Sequence, residues 1–141
     1  MTINIPLGSD TAGVADYGTE TVVPAPILLT GDNPPIVSEV ETVAFSQTIA
    51  ARTVVGKVTS GGKIKPCVLS ANDGSQVPIG FVVNAVTTDA DDVKTVEVYK
   101  GGCFNPDALV WDASFDSDAK KLYAFKTGAP LIFLKRPTTG N

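Results

Sequence analysis

A glycine or a proline falls at about every sixth position of this 141-residue chain, which holds 13 Gly and 10 Pro, and that punctuation limits what it can fold into. Proline fixes φ and lacks the N–H that a helix interior or central strand requires, and glycine weakens both. The effect is strongest in "PAPILLTGDNPP" (24–35), where recurring prolines exclude a helix and a central strand. Yet the neighbouring "TETVVPAPILLT" (19–30) carries Val22, Val23, Ile27, Leu28 and Leu29, too many apolar side chains for a purely solvated tail. Residues 1–35 therefore read as an extended, proline-punctuated arm. Such a segment either orders when it meets a sheet edge or a groove, or packs along its own domain.

From Val37 onward the punctuation separates β-type runs. "TVVGKVT" (53–59), the glycine turn "SGG" and "KIKPCVL" (63–69) read as a hairpin, with Pro66 marking an edge or a bulge. "VPIGFVVNAV" (77–86) reads as a long apolar strand and "VKTVEVYKG" (93–101) as an alternating one. In the latter Val96, Val98 and Lys100 share one face and Thr95, Glu97 and Tyr99 the other. Helix is expected only in short pieces. Asn105 caps and Pro106 starts one turn, and "DSDAKKLYAF" (116–125) gives a second, acidic at its start and basic after it. "APLIFLKR" (129–136) reads as a last strand, so a mostly β domain over residues 36–141 is expected to follow the arm. With 43% hydrophobic and 18% charged residues, the chain can fill a core of its own.

The residue types exclude several chemistries. Histidine is absent, which removes the usual general base, the usual metal ligand and the common nucleophile pairs. Asp89, Asp91 and Asp92 begin like a calcium loop, but Lys94 stands where the sharp turn needs glycine and Lys100 where the closing glutamate belongs. Asp112, Asp116 and Asp118 read as caps and surface charge. "KGGC" is too short for a P-loop, and its glycine pair reads as a bulge or strand exit with Cys103 and Phe104 filling the core behind it. Cys67 and Cys103 are expected as reduced, mostly buried thiols, and Trp111 as a core anchor. No catalytic residue, metal or cofactor is expected.

Residues 1–51 carry Asp10, Asp16, Glu20, Asp32, Glu39 and Glu41 and no Lys or Arg, an acidic third unsuited to a phosphate backbone. Nucleic acid is not an expected partner. Neither is a membrane, because the apolar runs are only a few residues long and "MTINIPLGSD" lacks the features of a secretory signal. Synthesis in the cytoplasm is the expectation.

"VYKGGCFNPDALVWD" (98–112), followed by "DAKKLYAF" and "PLIFL", resembles the C-terminal half of the head decoration proteins of lambda-like tailed phages. The resemblance rests on Tyr99, Lys100, Gly102, Phe104, Leu109, Trp111, Lys120, Lys121, Ala124 and Phe125, with Gly80 in the upstream "DGSQVPIGFVVNAV", and covers roughly residues 53–134. It implies a compact barrel-like or β-tulip-type domain that sits as a homotrimer on the outside of the expanded phage head. There it would bind the major capsid protein around local three-fold axes and resist the pressure of packaged DNA. It also implies an N-terminal arm that orders by adding to a capsid sheet, for which Val22, Val23, Ile27, Leu28 and Leu29 are the candidate contacts. Two rival readings are a β-barrel carbohydrate-binding or head-fibre adhesion module, which clustered exposed aromatics would favour, and an enzyme built on Cys103 or a carboxylate.

Overall fold

The architecture follows from one long strand that several short ones share. A computed structural model describes residues 26–137, so Val22 and Val23 of the expected arm lie outside the described residues. The elements in chain order are β1 (Leu29–Gly31), β2 (Val37–Thr42), β3 (Thr48–Ile49), β4 (Val54–Lys57), β5 (Ile64–Pro66), β6 (Pro78–Val82), β7 (Val86–Thr87) and β8 (Thr95–Phe104). A 3-10 turn (Pro106–Ala108), the helix α1 (Asp118–Leu122) and β9 (Ile132–Leu134) complete them. The chain is thus mostly β-sheet with few, short helices.

Seven strands form one sheet, in the order β1-β8-β6-β4-β5, with β2 and β9 also paired to β8. The two halves of β8 serve different neighbours. Residues 95–101 lie against β2, from Val37↔Gly101 to Thr42↔Thr95, and against β6 through Phe81↔Tyr99 and Val82↔Val98. Residues 102–104 lie between antiparallel β1 (Leu29↔Phe104, Gly31↔Cys103) and parallel β9 (Gly102↔Ile132 to Phe104↔Leu134). The changeover falls at Gly101-Gly102, so the strand does not leave the sheet at this pair but exchanges partners there and runs on to Phe104. The sheet also curls until the end of β2 returns to β5. A single Val43↔Ile64 bridge and a 2.8 Å bond from the Ala44 N–H to the Ile64 carbonyl join them, in place of a full ladder.

Strand alternation splits the apolar side chains between two cores. Val55, Val82 and Val98 point inside the curl with Val43, Ile49, Ile64 and Val96. Their chain neighbours Val54, Phe81 and Tyr99, aligned across three strands, point to the other face. There Phe104, Leu109, Phe115, Phe125 and Ile132 cover them. Both short helical pieces lie where their caps direct. The Asn105 side chain accepts the Asp107 N–H at 3.1 Å, and that of Ser117 accepts the Lys120 N–H at 3.3 Å.

The run 77–86 does not form one strand; it is interrupted after Val82, and Val86 instead starts β7 against β3. β1 lies inside the segment expected as the arm. It is tolerated there because its residues 29–31 fall between the prolines at 26 and 34, at the rim of the sheet.

Gly80 shows how tightly β6 and β8 approach. Its φ of +154° disfavours a side chain, and a Cβ there would collide with the Tyr99 carbonyl oxygen and lie 2.8 Å from Val98 Cγ1. Gly80→Ala should therefore cost about 3 kcal/mol, read as a drop in the urea midpoint at unchanged m-value. A loss below about 0.5 kcal/mol would show that this approach does not hold the sheet together.

Candidate functional site

Most of the residues that carry the resemblance converge on one packed cluster. Phe104 is fully buried, with its ring edge-on to Phe81 at 4.8 Å and 5.4 Å from the half-buried Tyr99. Trp111 packs 5.0 Å from Phe115 and 5.9 Å from Phe125, and its indole N–H donates to the Pro106 carbonyl at 2.8 Å. Leu109 and Ala124 belong to the same cluster. Gly102, with φ +139°, leaves the space that the Phe104 ring fills, since a Cβ there would lie 2.6 Å from Cζ. Tyr99 and Trp111 are thus partly buried and packed against aromatic neighbours. Tyr123 is exposed under the Lys126 ammonium, at 4.4 Å.

Lys100 belongs to a second cluster. It and Lys57 grip the largely buried carboxylate of Glu41 at 3.0 and 2.8 Å, closing one end of the curl, and Glu39 lies 4.0 Å from Lys100. Burial raises the Glu41 pKa, but the two lysine hydrogen bonds and charges outweigh it and hold the carboxyl below its ordinary 4.5. This lysine–glutamate–lysine set joins β2, β4 and β8, and no spacing in the sequence announced it.

The aspartates expected as caps and surface charge are engaged locally. Asp112 accepts from the Ser114 N–H at 2.9 Å, Asp116 pairs with Lys120 at 2.8 Å, and Asp118 pairs with Arg136 at 2.9 Å. Arg136 also holds Asp107 through two bonds of 2.9 and 3.1 Å, fixing the end of β9 to the 3-10 turn. Those bonds to Arg136 hold the Asp107 carboxyl below the usual carboxylate range. Among the described residues, no three His, Cys, Asp or Glu side chains come together as a metal set. Cys67 and Cys103 are both free and buried, and burial pushes the Cys67 thiol up to about 12.

One group of exposed apolar side chains lies around the C-terminal half of β8. Of the arm candidates described, Leu28 packs on the core and its carbonyl accepts the Asn105 N–H at 2.8 Å, while Ile27 and Leu29 are exposed. Near them Ile36, Val37, Leu131 and Phe133 also face solvent, the last two each 55% accessible. Gly101 allows Val37 and Leu131 to approach, since a Cβ on it would sit within 3.4 Å of both their Cβ atoms. Between the Asp32–Pro34 turn and Phe133 runs a groove of about 650 Å3, with Gly31 and Cys103 among its lining residues. Sequence reasoning missed Leu131 and Phe133 because "LIFL" is apolar throughout and shows no alternation; only pairing with β8 reveals which members face out.

The domain is a β-sheet fold whose aromatic residues fill its core and whose rim leaves apolar side chains exposed. Residues 17–131 match the family of the bacteriophage lambda head decoration protein D, and the chain belongs to that family. The match takes in residues 17–52, upstream of the span over which the sequence itself showed the resemblance. No individual curated protein matches the chain.

Two outcomes test this description. Glu41→Gln should destabilise the fold by about 2 kcal/mol, because it leaves two ammonium groups facing each other without their shared carboxylate. The Glu41 contribution is complete above the ordinary glutamate value of 4.5 and is lost as pH falls through the lowered native value. Stability measured against pH should therefore fall less steeply on the acid side in the variant, and identical acid limbs would remove Glu41 from the account. Cys67 should resist alkylation at pH 8 until the chain is unfolded, and native-state labelling at the rate of a free thiol would contradict its burial.

Proposed function

We propose that this chain is a virion structural protein that binds as trimers to the outside of the expanded phage head at local three-fold sites. Its partners are the major capsid protein and two further copies of itself, and its role is to stabilise the shell against the pressure of packaged DNA. The observation that carries this reading is the family match over residues 17–131. The exposed rim of Ile27, Leu29, Ile36, Val37, Leu131 and Phe133 supports it, because an apolar surface of this kind suits a permanent protein contact. Many copies binding at modest individual affinity would add up to a stable cover.

On this reading residues 1–35 are the arm, anchored by β1, and residues 36–141 the decoration domain. The domain acts as a barrel-like unit, a shape that the Val43↔Ile64 bridge supports. Val22, Val23, Ile27 and Leu29 are the arm's proposed capsid contacts, joined to a capsid sheet by main-chain hydrogen bonds. Neither nucleic acid nor membrane takes part, and the protein resides on the outer capsid surface after synthesis in the host cytoplasm.

Co-sedimentation with expanded, undecorated heads tests the proposal, comparing the full chain with one lacking residues 1–25. The truncation stops there because removing Leu29–Gly31 would strip a strand from the sheet. Saturable binding by the full chain, weakened at least about tenfold by the truncation, is expected. Equal binding by both would remove the arm from the mechanism, and no binding by the full chain would overturn the decoration role.

A further inference from the structure

We propose that Phe133 and the two hollows beside it dock an extended acidic segment of a partner protein, one with apolar side chains at positions i and i+2. This deepens the reading of the rim as a contact surface, and rests on it for the partner being a protein. Family membership does not speak for the site, since Phe133 and Lys135 fall outside the matched residues 17–131.

Register builds the site. Gly31, Cys103 and Phe133 are aligned across β1, β8 and β9. Gly31 brings no side chain, Cys103 is small and buried, and Phe133 keeps 55% of its surface. The row therefore runs from a floor to a ridge, and the groove of about 650 Å3 lies over that floor. Leu122, Phe125, Pro130 and Ile132 line a second hollow of about 390 Å3, and Phe133 and Leu134 border both.

Spacing selects the apolar pattern of the guest. A ridge one side chain thick needs about 3.5 Å of contact distance on each face, so groups that straddle it stand about 7 Å apart. Residues i and i+2 of an extended chain have that separation and point to one side. Adjacent residues point to opposite sides, so only one of such a pair would reach a hollow.

Charge selects the flanks. Lys135 lines the groove and Lys126 the second hollow. Both are exposed, and neither is in an ion pair among the described residues. Lys126 lies over the Tyr123 ring, a contact that leaves its charge without a counter-ion. Asp32 is the one acid among the lining residues of the two hollows. Arg136, the next basic residue, is already held by Asp107 and Asp118. A segment with carboxylates on both sides of its apolar pair meets one ammonium group at each end.

The test is fluorescence anisotropy of the full-length chain with labelled peptides that carry two aspartates on either side of a short centre. Leu-Thr-Leu at the centre should bind at least about fivefold more tightly than Leu-Leu-Thr, and than Leu-Thr-Leu flanked by lysines. Phe133→Ser should weaken the first peptide about tenfold, and Lys126→Glu or Lys135→Glu about fivefold each. All three side chains are exposed, and an unchanged urea midpoint confirms that the variants remain folded. No binding, equal binding of all the peptides, or equal binding by wild type and the folded variants would overturn the proposal. Self-association of the wild type that Phe133→Ser removes would also overturn it, by giving the hollows to a second copy. Uptake by heads is a separate readout. Heads that take up a chain to which no peptide binds sink this proposal alone, and peptide binding without uptake sinks the decoration reading alone.

Discussion

The packing of Tyr99, Phe81 and Phe104 around the glycine-bearing stretch of β8 is the interaction on which the rest depends. β8 is the only strand among those described that contacts β1, β2, β6 and β9. It can serve all four because its halves face different partners, and the exchange happens where Gly102 adopts a φ of +139°. The Phe104 ring occupies the space a side chain at 102 would need and meets Phe81 edge-on, a favourable aromatic geometry. Sheet continuity and core packing are thus one arrangement: a bulkier residue at 102 would disturb both.

The curl has the same origin. Two residues of β8 oppose one step of β2 at Lys100, two of β6 oppose one of β4 at Ile79, and two of β1 oppose one of β8 at Thr30. Each irregularity adjoins a glycine: Gly101, Gly80 and Gly31 respectively. Bulges sharpen strand twist, so three of them in one sheet bend it until β2 returns to β5. A sheet bent this far has an inside and an outside, and both faces then need apolar cover. That is why adjacent residues such as Val54 and Val55 are both buried, each in a different core.

The sequence showed the local part of this clearly. Asn105-Pro106 and the acidic start before Lys120 mark the two helical turns, and the glycine turn at 60–62 marks the β4–β5 hairpin. These signals act over a few residues, and so do their causes. The partners of β8 were not legible, because periodicity tells which face a side chain occupies and not which strand lies beside it. The Gly-Gly pair read as a bulge or a strand exit; a bulge does adjoin it at Lys100, but its backbone conformation is local, whereas the flanking β1 and β9 come from 73 residues away in one case and about 30 in the other, as the Thr30–Cys103 and Gly102↔Ile132 contacts show. The candidate site was readable only in part. Ile27 and Leu29 stood out as apolar residues in a proline-rich arm, while the exposed faces of Leu131 and Phe133 were hidden in a uniformly apolar run.

The residues that identify the family and the residues that would carry its function occupy different places. Tyr99, Gly102, Phe104, Leu109, Trp111 and Phe125 are spent on the core, and replacing any of them would act through stability. The open rim uses Ile27, Leu29, Val37, Leu131 and Phe133, mostly on short strands or beside them. Short strands suit such a rim, because a long apolar edge would invite indiscriminate pairing in solution. The three residues of β9 are preceded closely by Pro130 and followed by Pro137, which limits how far any added strand can extend. An edge bounded in this way leaves only a short stretch of main chain open to pairing, which guards against indiscriminate association.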